Sequence, residues 1–168
     1  VVLILFFLSN LTSYSLSDDK IVFINVNYIF TNSTTGKNAS ETIEKKVKKL
    51  EIDIKKFSSD INLRKDKLVK QKNILSEDDF KKRLDEIDKE VKEFNNNIKV
   101  KNNEILRLKE KVMSNFKKEL TKILSQYSKD NSIELIIEQE NVLIGLNKLN
   151  ITNEILKIIN SKKIELIN

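Results

Sequence analysis

The chain opens on an unbroken apolar run, VVLILFFL from Val1 to Leu8, followed by polar Ser9, Asn10, Thr12 and Ser13. Ser15-Leu16-Ser17 then sets small residues three and one before Asp18. An apolar core followed by a small-residue site is the pattern of a secretory signal peptide. The run is too short to span a bilayer, which takes about 20 apolar residues. Neither a basic stretch nor an initiator Met precedes it. The sequence is therefore expected to start a few residues into a signal peptide covering 1–17, with a mature, exported chain from near Asp18. The competing reading is a buried strand or helix of the domain. The abrupt change to Asp18-Asp19-Lys20 and the new pattern after it argue against that.

Lys20 to Val26, KIVFINV, is β-branched and apolar on both faces and predicts a buried strand. Asn27 is the expected cap of a short helix through Tyr28, Ile29 and Phe30. Thr31 to Lys37, TNSTTGK, predicts a polar loop. A long helix is expected from Asn38, with Glu41 completing a capping box. Apolar residues then fall at Ile43, Val47, Leu50, Ile54, Phe57 and Ile61, alternating steps of four and three, a heptad seam. Leu68 and Leu75 continue one row, but the other carries Arg64 and Gln71, so the seam is expected to loosen there.

Ser76 before Glu77-Asp78-Asp79 is a second helix start, a cap followed by carboxylates at the positive end of the helix. That chemistry accounts for the three acids without a cation site or an acid/base pair. The seam resumes at Leu84, Ile87, Val91, Phe94 and Ile98, is interrupted by Lys101, and returns at Ile105, Leu108 and Val112. Steps of four to Phe116 and Leu120 then mark a stutter. The helix is expected to end near Ser128. Two such helices around a short turn make an antiparallel hairpin, the first roughly 55 Å long and the second roughly 78 Å at 1.5 Å per residue.

IELIIE (133–138) and VLIGL (142–146) predict two further strands, and Thr152 a cap for a C-terminal helix with Ile155, Leu156, Ile158 and Ile159. The expected class is α+β. A small β-sheet body is built from both chain ends (18–38 and 129–168), and a long helical coiled-coil hairpin (39–128, tip near 72–80) is inserted between them. A body of 61 residues buries little and usually needs disulfides, metal or oligomerisation. The chain has no Cys and no His, which removes disulfides and His/Cys metal sites. Oligomerisation through the sheet is left, and Ile21, Phe23, Ile133, Leu135, Ile137, Val142 and Ile144 are its expected residues.

The same absences remove Cys and His nucleophiles and any Ser-His-Asp triad. With glycine only at Gly36 and Gly145, no phosphate-cradling glycine loop exists. No catalytic residue, metal or cofactor is expected. The net charge of +6 belongs to the arm: residues 39–128 hold 24 Lys and Arg against 17 Asp and Glu, a net +7. Lys70, Lys72, Lys81, Lys82 and Arg83 sit near the tip and are the expected charges for gathering acidic clients or anionic lipid. Mixed charge on a solvated helix face is the plain alternative. Nucleic acid is disfavoured, because no aromatics interleave the basic residues for base stacking.

Three segments in this order resemble the Skp/OmpH family of periplasmic chaperones. Lys20-Ile21-Val22-Phe23-Ile24-Asn25 is similar to the family's opening strand. Ile133-Glu134-Leu135-Ile136-Ile137-Glu138 with Val142-Leu143-Ile144 is similar to its late strand pair, and Asn150-Ile151-Thr152-Asn153-Glu154-Ile155-Leu156 to its closing motif. The resemblance implies a homotrimer whose strands share a barrel-like body and whose hairpins surround a cavity. It implies that the cavity holds unfolded outer-membrane proteins in the periplasm without ATP. The chain is poorer in Ala and Gln and richer in Asn and Lys than that family, so no lipopolysaccharide-contact residue is carried over. The leading expectation is a trimeric holdase. The rivals are a structural or adaptor coiled coil of the envelope with one fixed partner, and a prefoldin-like cytosolic chaperone.

Overall fold

The computed structural model describes residues 20–167; the expected signal peptide lies outside them. Strand β1 (Ile21–Ile24) leads into helix α1 (Val26–Asn32). Asn25 is the cap, its Oδ1 accepting from the Tyr28 N–H at 2.7 Å, so the expected cap Asn27 is already helical. The expected loop over Thr31–Lys37 is not formed. Ser33 alone separates α1 from helix α2 (Thr34–Lys70). Its N–H donates to the Ile29 carbonyl and its Oγ accepts from the Gly36 N–H at 3.1 Å. One residue in an extended conformation turns the chain and caps both helices, which is why the polar segment Thr31–Lys37 reads as a loop and folds as two helix ends. Gly36 permits this turn, since a Cβ there would collide with the Phe30 carbonyl oxygen. Asn38 and Glu41 lie inside α2 and cap nothing.

After the turn at 71–76, helix α3 (Glu77–Asp130) starts on Ser76, whose Oγ accepts from the Asp79 N–H at 3.1 Å. At 54 residues against 37, α3 is roughly 25 Å longer than α2. Asp53 meets Lys101, Phe57 stacks on Phe94, Arg64 meets Glu90 and Lys65 meets Asp88. Numbers rise on one helix as they fall on the other, so the pair is antiparallel. Towards the tip Ile61, Leu68 and Ile87 are buried together, with Phe57, Leu75, Phe80, Leu84 and Val91 around them.

The expected loosening at Arg64 is not what the seam shows. Arg64 makes two hydrogen bonds to Glu90, at 2.6 and 2.8 Å, and faces Asp60 at 3.5 Å. Such a bidentate pair fixes both planes. The Gln71 Oε1 likewise accepts from Arg83 at 3.3 Å. Polar residues on the seam are thus cross-linked between the helices.

Ser132, in the left-handed region at φ 52°, turns the chain out of α3. Strand β2 (Leu135–Glu138) then lies parallel to β1, with Ile21 opposite Leu135 and Ile24 opposite Glu138. It is shorter than expected; Ile133 precedes it and is buried in the core. Val142–Leu146 is not a strand. It runs irregularly between 3-10 turns at Gln139–Asn141 and Asn147–Leu149, and no neighbouring strand offers it a ladder among the described residues. Helix α4 (Thr152–Asn160) is capped from Asn150, whose Oδ1 accepts from the Thr152 N–H at 3.0 Å. The expected cap, Thr152, instead turns its hydroxyl to the Asn25 N–H at 2.9 Å.

One core ties these pieces together. Val22, Ile24, Val26 and Ile29 pack with Ile155 and Ile159 of α4, and with Ala39 and Ile43 of α2 and Val112, Phe116, Leu120 and Ile123 of α3. The ends of the arm helices therefore belong to the body. The stutter from Val112 to Leu120 is where α3 stops facing α2 alone and serves this larger core.

Candidate functional site

Apolar surface gathers at one edge of the body. β1 is covered on both sides, by β2 and by a bridge from Phe23 to Asn150, where the Ile151 N–H donates to the Phe23 carbonyl. β2 has no strand on its far side among the described residues. Leu135 is exposed, and Ile136 and Ile137 are half-buried. Further on, Leu143 is 97% exposed and Ile144 91%, with Leu146 also open. Gly145 holds this segment against the body, its α-carbon close to the Phe23 ring, where a Cβ would lie 2.8 Å from a ring carbon. An edge strand with open hydrogen-bonding groups beside exposed aliphatics is a template for another chain.

Of the expected oligomerisation residues, Ile21, Leu135 and Ile144 are exposed, Ile137 and Val142 are half-buried, and Phe23 and Ile133 are buried within the chain. Leu143, Leu146 and the exposed Tyr28 were not singled out from the sequence. VLIGL, expected as a strand, is irregular here, so exposure does not alternate along it.

The tip is the second feature. Lys70, Lys72, Lys81, Lys82 and Arg83 are all exposed. Lys72 lies over the Phe80 ring, 6.0 Å from its centroid, and Arg83 is held by Gln71. Lys81 and Lys82 share a shallow face of α3 with Asp78, Asp85 and Glu86, so the field there is mixed. Ile74, 83% exposed, stands in the turn itself, with Val69 and Leu63 exposed on α2.

The family model for outer membrane proteins of the OmpH-like type matches residues 20–159, from β1 to the end of α4. The chain belongs to the OmpH-like family. The crystal structure of an OmpH-like outer membrane chaperone from Caulobacter crescentus CB15 superposes with a TM-score of 0.82 at 11% identity, covering 89% of this chain and 88% of that one. No curated protein matches the sequence significantly. At that identity the likeness is one of fold, and the sheet of two parallel strands with its long helical hairpin is the OmpH-like fold.

In this OmpH-like chain a carboxylate pair lies beside the open edge. Glu138, the last residue of β2, neighbours Glu140 and shares a shallow cleft with Asn25 and Asn27. Burial pushes the Glu138 carboxyl above the ordinary glutamate range; the hydrogen bond and the charge of Glu140 push the same way, against Lys117. A folded state with a raised carboxyl pKa binds more protons than the unfolded chain, so this group's contribution falls as pH rises through the raised value. Glu138→Gln is therefore expected to raise the urea midpoint at pH 7 slightly, because solvent screens the pair. The gain should shrink as pH drops below the ordinary glutamate range. A lower midpoint at pH 7 would contradict the assignment.

Proposed function

We propose that the chain is an ATP-independent holdase of the periplasm that keeps unfolded outer-membrane proteins from aggregating. Three copies associate through the open β2 edge and the Val142–Leu146 segment, and their arms enclose a cavity. The observation that carries this reading is the apolar edge on a body from which a long hairpin projects. One face holds copies together while the arm surface remains free for clients. Membership of the OmpH-like family and the fold shared with an outer membrane chaperone support it.

The arms offer weak contacts in number. Ile52, Leu63, Val69, Ile74, Val100 and Leu106 are exposed along them, between charged residues. A client strand that alternates apolar and polar residues meets similar short patches on each arm. Joining three arms on one body makes the second and third contacts intramolecular, which multiplies weak affinities. The absence of a glycine-rich phosphate loop agrees with binding and release without nucleotide.

The basic tip residues gather acidic segments or anionic headgroups before the apolar contacts form. Changing Lys70, Lys72, Lys81 and Lys82 to Gln is expected to slow client capture severalfold at low salt and to remove most of its salt dependence. Stopped-flow capture of a urea-diluted outer-membrane barrel protein at low and physiological salt measures this. An unchanged salt slope would remove the tip from the mechanism. The whole reading is tested by light scattering of the chain with and without that client. A complex of one trimer per client, with turbidity suppressed, supports it. A stable oligomer that leaves aggregation untouched would favour an adaptor with one fixed partner.

A further inference from the structure

Beyond α4 the chain does not end its work. Asn160 closes α4 and its Oδ1 accepts from the Thr34 N–H at 2.9 Å, at the first turn of α2. Residues 163–167 then run without regular structure across the root of the arm. They make no backbone pairing with another segment among the described residues. Two side chains hold them. The Thr35 hydroxyl of α2 donates to the Ile164 carbonyl at 3.1 Å, and the Asn115 amide of α3 donates to the Leu166 carbonyl at 2.9 Å. Each arm helix thus grips the segment once.

Between those grips Leu166 is buried in the core that contains Ala39, Ile43, Val112 and Phe116, while Ile164 and Ile167 pack partly buried beside it. Space is open at both ends. A cleft of about 580 Å³ between α3 and α4 reaches Ile164, lined also by Ile123, Tyr127 and Ile158. One of about 450 Å³ reaches Ile167, lined also by Leu50, Ile105 and Leu108. The apolar cluster at the tip is separate from this core. The segment thus touches both arm helices at the root, away from the tip cluster.

We infer that residues 163–167 are a releasable strap that clamps α2 and α3 at the arm root and so fixes how far the arm can swing. Docked, the strap closes the core and joins the two helices through Thr35 and Asn115. Released, it removes Leu166 from between them and frees the root to bend, with the clefts at either end giving its side chains room to move. The contact set favours release over unfolding: one buried side chain, two partly buried ones and two side-chain hydrogen bonds hold the strap, whereas β1, α1 and α4 share the rest of the core. Its sequence, IELI at 164–167, repeats the IELI of 133–136 that leads into β2, yet here it pairs with no strand among the described residues. The use of an adjustable arm for clients of different size rests on the holdase reading; the clamp itself does not.

The lack of cysteine makes the test direct. Spin labels at Lys92→Cys on the arm and Asn147→Cys on the body report their separation within one chain, with labelled copies diluted in unlabelled protein and no client present. Thr35→Val with Asn115→Leu removes both grips while keeping volume. The expected result is a distance distribution at least twice as wide, with helix content unchanged and a spin label placed separately at the exposed Glu165→Cys at least twice as mobile. Leu166→Ser should widen it further. A strap label that becomes mobile while the distribution stays narrow would overturn the clamp. So would an unchanged strap label in the double variant, because the two grips would then not be the latch. Client capture is measured separately, so a failed holdase reading leaves this result standing.

Discussion

Phe116→Ala is expected to remove a large share of the stability of the body. Phe116 is 1% exposed and meets the Phe30 ring edge-on, with centroids 5.1 Å apart at 76°. Truncating a buried Phe costs about 3–5 kcal/mol, from lost transfer energy and the cavity left behind. Whole domains are stable by only about 5–15 kcal/mol. The site cannot collapse easily, because Val112 and Leu120 on the same helix, and α1 and α4 across the core, hold its walls apart. Urea unfolding followed by far-UV circular dichroism measures the loss. The tip core of Ile61, Leu68 and Ile87 is not contiguous with this one, so part of the helical signal should survive the first transition. Ile87→Ala, by comparison, should loosen the tip and leave the body transition in place. A shift of less than about 1 kcal/mol for Phe116→Ala would mean that the body is held by something other than this core.

The arm was legible in the sequence because its pattern is long. Seam residues recur over many turns, and a few polar exceptions cannot hide the period. Ser76 with three acids marked the start of α3 for the same local reason that makes it fold there. The body was legible only in outline. Its elements are four to nine residues long, so one cap or one bend decides each boundary. Ser33 shows the difficulty: Thr31 to Lys37 carries ordinary turn residues, and the choice between loop and double helix end depends on hydrogen bonds and on Gly36 fitting under the Phe30 carbonyl. Thr152 was placed correctly at the start of α4, but its hydroxyl serves Asn25, 127 residues away in sequence.

Side-chain roles were harder still. Arg64 looked like a flaw in the seam because its partner Glu90 lies on the opposite helix, 26 residues on. That pairing draws the Glu90 carboxyl below the ordinary range, chiefly through the hydrogen bond to Arg64, although burial works against it. The strap left no periodic trace, since one extended pass across two helices needs only a few apolar residues. The candidate site was half visible. Apolar residues at both chain ends pointed to association, but which of them face outward depends on where β2 stops and the irregular segment begins.

That boundary gives the second large effect. Leu143→Asp with Ile144→Asp is expected to break the oligomer into single chains that keep their fold. The two side chains are 97% and 91% exposed, so in the lone chain the change removes almost no packing. In the proposed assembly each would be buried against a neighbouring copy. Burying a Leu or Ile contributes roughly 1.5–3 kcal/mol, and each closed copy contains the pair again. Replacing them by carboxylates forfeits that gain and adds charges that would have to lose their water, at several kcal/mol each. Light scattering should therefore read a single-chain mass, while circular dichroism keeps the helical signal. Client capture should fall by a hundredfold or more, because separate arms lose the avidity that a shared body supplies. A retained oligomer would move the interface elsewhere. A single chain that still suppresses aggregation at full strength would mean that one hairpin holds the client, without an enclosed cavity.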